Sequence, residues 1–175
     1  MNLHAAAVVR LCPAFVCSMI FLVCPARGEA QAVTSDIKEQ IVGSWTLLSV
    51  VLEQGGAKTE VFGPNPKGML TYDAKGNYAY VILRADLPKI ASNNRMSPTP
   101  EESKAISTGV LAAYGKYSFN PDGTMTMRID GGTFPNFDGA EQKRLIALNG
   151  DELRVTNPTP PAGGGTAYIL WKRLR

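Results

Sequence analysis

The stretch "IVGSWTLLSV", residues 41–50, opens the first strand-like run of the chain and decides how the rest is read. Gly43 and Trp45 stand two apart at its start. A large aromatic so close to a residue without a side chain asks for a place where the backbone passes tightly and a ring is buried. A sheet that closes on itself has such a place, because one of its ends must be sealed against water. A tryptophan on the first strand can plug that end and offer its face to a cation. The last apolar run, "TAYILWKRLR" (166–175), carries Lys172 and Arg173 near its end. Gly43, Trp45 and Arg173 are therefore expected to form the closed end, with Arg173 over the indole.

Between these two runs the chain reads as short strands separated by turn signals. "SWTLLSVVLEQ" ends at Gly55-Gly56, "AKTEVF" leads to "GPNPKG" (63–68), and "GMLTYD" meets "YAYVILRA" across Lys75-Gly76-Asn77. A polar, proline-rich loop occupies residues 86–100. It is followed by a helix start: Thr99 as N-cap, Pro100 at the first helical position and Glu102 closing a capping box. Ile106, Val110 and Ala113 form its expected apolar stripe over about three turns. Strands then resume with "YGKYSFN", "TMTMRID", "EQKRLIALN", "ELRVTN" and the terminal run. Nine or ten strands and one helix make an all-β domain. A meander of this length most simply hides its edges by closing into an up-and-down antiparallel barrel.

The first residues have a different character. Arg10 precedes a largely apolar stretch from Leu11 to Cys24 of about fourteen residues, short of the roughly 20 that a spanning helix needs. Ala30-Gln31-Ala32 follows as an A-x-A exit. Residues 1–32 are read as a cleaved signal peptide, which places a domain of residues 33–175 outside the cytoplasm, secreted or periplasmic. A lipid attached at Cys24 is not expected, because Val23 is a poor residue before a lipidated cysteine. Cys12, Cys17, Cys24 and the single histidine, His4, all lie in this leader. The remainder has 16 basic and 14 acidic residues and neither Cys nor His. That excludes thiolate and Ser-His-Asp chemistry and disulfides, and leaves no metal site or cofactor to expect. The small net charge and the lack of a basic run give no nucleic-acid partner. "PPAGGG" has no GKS sequel and is not a phosphate-binding loop.

Gly43-x-Trp45 resembles the lipocalin signature, and the rest is similar to small bacterial and fungal lipocalin-like domains. The matching pieces are "FGPNPKGMLTYDAKGNYAYVILR", "TPEES", "YGKYSFN", "FPNFDGAEQKRLIALNGDELRVTNP" and "GGGTAYILWKR". The resemblance implies a calycin-type barrel with a cavity. It also implies a superfamily that mostly binds small apolar molecules, some relatives acting on secondary metabolites. In that branch the strand after Pro121-Asp122-Gly123 often carries histidines. Met127 and Arg128 stand there in this chain, so chemistry resting on those histidines is not expected.

Alternate residues of each strand share a face. The candidate ligand-binding residues are Tyr78, Tyr80, Arg84, Tyr117, Met127, Arg128 and Arg144, with Phe134 and Phe137 on the loop "GGTFPNFDG". Arginines offer anchors for an acidic group, tyrosines for a ring, and methionine an adaptable wall. The leading expectation is binding or carriage of a small hydrophobic molecule, with no catalytic residues assigned. An isomerase or cyclase using a buried Asp130, Asp138, Glu141 or a tyrosine is the second reading. A solid barrel serving as an interaction module is the third.

Overall fold

The computed structural model describes residues 36–175. The leader expected over residues 1–32, with its cleavage point and Cys24, lies outside the described residues. After a helical segment at 36–40, the elements are β1 (Gly43–Gln54), β2 (Ala57–Glu60), β3 (Lys67–Tyr72), β4 (Asn77–Leu83), α1 (Pro100–Gly109), β5 (Val110–Phe119), β6 (Met125–Gly132), β7 (Glu141–Asn149), β8 (Glu152–Asn157) and β9 (Thr166–Arg173). β1 and β3 to β9 pair antiparallel in that order, and β9 returns to pair with β1. Eight strands thus close into a barrel, while β2 pairs only with the second half of β1. Among the described residues no helix is long and apolar enough to cross a membrane.

Closure depends on β1, which pairs with β9 from Trp45↔Arg173 to Glu53↔Thr166. The register shifts between Leu47 and Ser49, leaving Leu48 as the extra residue of a bulge and exposed on the outside. The bulge reverses the parity of the strand. Trp45 and Leu47 face inward before it, and Val50 and Leu52 face inward after it. One strand thereby supplies both the plug and part of the wall.

The plug has the arrangement that the opening motif implied. Trp45 is fully buried and donates its indole N–H to the Ile41 carbonyl at 2.9 Å. The Arg173 guanidinium lies 4.1 Å from the Trp45 ring centroid. It also donates to the Val42 carbonyl at 3.3 Å and to the Gln40 carbonyl. Gly43 has φ +128°, a conformation costly for any residue with a Cβ. A Cβ there would stand 3.5 Å from the Arg173 guanidinium. The glycine is needed for its backbone, and its neighbour for its ring.

The helix start follows its local signals. Thr99 Oγ1 accepts from Glu102 N, while Glu102 accepts from Thr99 N at 2.8 Å and from Ala91 N at 2.9 Å. These two backbone N–H bonds hold the Glu102 carboxyl below its usual range and tie the proline-rich loop to the helix. The helix is shorter at its far end than the stripe Ile106, Val110, Ala113 suggested. It stops at Gly109, and Val110 and Ala113 belong to β5. Apolar residues at this spacing satisfy a helical face and a strand run alike.

Replacing Arg173 by Met should lower the unfolding free energy by about 2 kcal/mol, from the lost cation–π contact and charge-assisted carbonyl bonds. Thermal denaturation reads this, and Arg173→Lys should recover less than half, since an ammonium cannot stack and fork together. An unchanged melting temperature for Arg173→Met would show that the stack contributes nothing.

Candidate functional site

Inside the barrel is a cavity of about 500 Å³, within the size range of small-molecule sites. The third reading, a solid barrel, does not hold. Its walls are mainly aliphatic and aromatic, with Val50, Leu52, Leu70, Ile82, Val155 and Ile169 among them. They come from the inward positions of β1, β3, β4, β8 and β9. The exposed Ser107 and Thr108 at the end of α1 and the Pro160-Pro161-Ala162 loop also line it, and so form its rim. Phe134 and Phe137 join them from the β6–β7 connection, edge to face with ring centroids 4.9 Å apart. The 3-10 turn Pro135–Phe137 sets that pair.

Of the residues singled out from sequence, Tyr80, Met127, Phe134, Phe137 and Arg144 line the cavity. The others fall elsewhere. Tyr117 is a core residue: it packs edge-on against Tyr72 at 4.8 Å and donates its hydroxyl to the Asp73 carbonyl at 2.7 Å. Tyr78 shares the inward face of β4 with Tyr80 but is packed into the core rather than the cavity wall, its ring stacked 6.2 Å from that of Tyr80. Arg84 forms a two-pronged pair with Asp86 at 2.9 and 2.7 Å. Arg128 is exposed and pairs with Asp130 at 3.1 Å. Both arginines are thus held outside by an acid two residues away, on their own strand face or just beyond it.

Arg144 differs in each respect. It is 7% exposed, and no ion pair involves it among the described residues. Its same-face neighbours on β7 are Gln142 and Ile146, neither of them acidic. The guanidinium donates to the Lys143 carbonyl at 2.8 Å and to the Gln142 side-chain oxygen. Two of its five N–H groups are thereby used. Burial draws its pKa down, and Tyr80, Tyr72 and Tyr78 act in the opposite sense. Burial also raises the pKa of Tyr80 and Tyr72, against the pull of the Arg144 charge, so these phenols stay protonated at neutral pH. Among the described residues no Asp or Glu lines the cavity. Asp138 and Glu141 are exposed, and Asp130 is in its pair with Arg128. None of the three carboxylates proposed for proton transfer reaches the interior.

Sequence reasoning missed Asn157 and Trp171, both buried and both lining the cavity. "ELRVTN" carried a signal for the first: Leu153, Val155 and Asn157 alternate, so the asparagine shares the apolar inward face. The same alternation on β9 places Trp171 inward with Ala167.

Tyr78 has a buried hydroxyl with no hydrogen-bond partner among the described residues. A buried unsatisfied hydroxyl costs about 1–3 kcal/mol. Tyr78→Phe is therefore expected to raise stability by about 1 kcal/mol in chemical denaturation. A loss of stability would mean that the hydroxyl has a partner.

The comparison with known families agrees with this architecture. The model of the lipocalin-like domain family matches residues 42–174, from the start of the plug to the end of β9. No curated protein matches the chain significantly. Closed antiparallel barrel, plugged end, inner cavity and family match together show that the chain belongs to the lipocalin-like domain family.

Proposed function

We propose that the protein binds or carries a small, mainly apolar molecule with an acidic group, and that Arg144 is the anchor for that group. Membership of the family supports small-molecule binding in general. The observation that carries the finer reading is Arg144 itself: a buried guanidinium, lining an apolar cavity, with no carboxylate opposite. A buried charge without a counter-charge costs several kcal/mol. An anionic ligand removes that cost on binding and gains a two-pronged contact of the kind guanidinium makes with carboxylate. The apolar walls add affinity in proportion to the area they cover. The leader expected from the sequence of residues 1–32 favours a setting outside the cytoplasm, where a carrier or scavenger meets its ligand directly.

Native mass spectrometry after gentle purification tests for a retained ligand. Displacement of a neutral apolar fluorophore then tests its chemistry. Dodecanoic acid should compete about tenfold to a hundredfold better than dodecanol, the range expected for a charge-assisted hydrogen bond. In Arg144→Met that preference for the acid should collapse. Equal competition by acid and alcohol in the unmodified protein would overturn the role of Arg144.

A further inference from the structure

The cavity contains a second polar feature that an acid alone does not answer. Trp171, on β9, is 2% exposed and lines the cavity. Its indole N–H donates to no acceptor among the described residues. The other tryptophan makes the contrast clear, since Trp45 satisfies its N–H on the Ile41 carbonyl at 2.9 Å. Indole nitrogen can only donate. Asn157 shows the same bias: its side-chain oxygen accepts from Thr159 N at 3.0 Å, and its amide N–H groups have no partner among the described residues. Arg144, Asn157 and Trp171 thus each hold N–H donors at the barrel wall, beside tyrosine hydroxyls that can donate or accept.

Position separates two sites for acceptors. Leu145 pairs with Thr156, so the strand register brings Arg144 level with Asn157, which pairs with Ala167 on β9. Trp171 lies four residues further along β9, about 13 Å at roughly 3.3 Å per residue. It stands opposite Leu47, one inward position above the Arg173–Trp45 plug. The two donors thus start from backbone levels four residues apart, more than the span of one carboxylate.

We infer that the ligand carries a second, uncharged oxygen acceptor, remote from its acidic group, which takes the Trp171 indole N–H. The class is an apolar carboxylic acid with a ketone, ether or hydroxyl oxygen towards its far end. This rests on the reading of Arg144 as the acid anchor. Trp171 is then a specificity-determining residue, because a donor open to the cavity favours ligands that bring the matching acceptor over those that cover it with apolar atoms.

The test compares dodecanoic acid, the same acid with a ketone beside its terminal methyl, and the same acid with a ketone beside its carboxylate. In displacement of the neutral fluorophore, the remote ketone should bind about tenfold tighter than the plain acid. The adjacent ketone should gain nothing. Trp171→Phe should abolish the advantage. Proton NMR gives a readout that needs no variant, since the chain has only two indole N–H signals. The Trp171 signal should move downfield with the remote-ketone acid more than with dodecanoic acid, and that of Trp45 should stay. Plain and remote-ketone acids of equal affinity with the same Trp171 shift would overturn the inference and leave the acid anchor standing. Failure of every acid to displace the fluorophore would overturn both.

Discussion

The Arg173–Trp45 stack is the contact on which the rest of the molecule depends, because it joins the two ends of the meander and seals the barrel together. Trp45 and Arg173 are paired residues on β1 and β9, at the seam where the first strand meets the last. Without that seam, β9 and β1 would be edges with unpaired backbone groups, and the inward residues would face water. The Arg173 fork also takes carbonyls from the segment just before β1, so the polypeptide entering the barrel is tied to the strand that completes it. A cavity needs such a fixed wall, since an interior of about 500 Å³ contributes no packing of its own to hold the sheet closed.

Much of this was legible locally. Gly43, Trp45 and Arg173 could be placed because a plug needs one ring, one cation and one permissive backbone position, and the sequence carries each where the topology needs it. Thr99, Pro100 and Glu102 announced the helix start through bonds made within four residues. What could not be read was parity and register. The bulge at Leu48 inverts the inward set of β1, and nothing in "WTLLSVV" marks which residue is extra. The junction at Gly109 stayed hidden because Val110 and Ala113 fit a helical and a strand period equally.

The arginines show where local reading stops and what could extend it. Arg84, Arg128 and Arg144 are alike as arginines on a strand or at its end. Arg84 has Asp86 two residues on, Arg128 has Asp130, and Arg144 has Gln142 and Ile146 at those positions. A pair two apart on a strand lies on one face, where it can satisfy itself in solvent. An arginine flanked on its face by amide and aliphatic neighbours has no such partner. The rule is a physical one: charges that find counter-charges locally stay outside at little cost, and a charge carried inward without one is the costly case that calls for an explanation.

That interior also has a definite response to pH. The guanidinium keeps its charge over the whole range in which proteins stay folded, and residues 36–175 contain no histidine to titrate near neutrality. The phenols beside it have raised pKa values and remain neutral donors. The site therefore presents one fixed charge state to whatever enters. On the proposed reading of Arg144 as an acid anchor, dependence of binding on acidity comes from the ligand, whose own carboxyl must lose its proton to answer the guanidinium. On the proposed role of Arg144, such a barrel would take the ionised form of an acid and surround it with apolar wall, a combination that neither water nor a lipid phase offers.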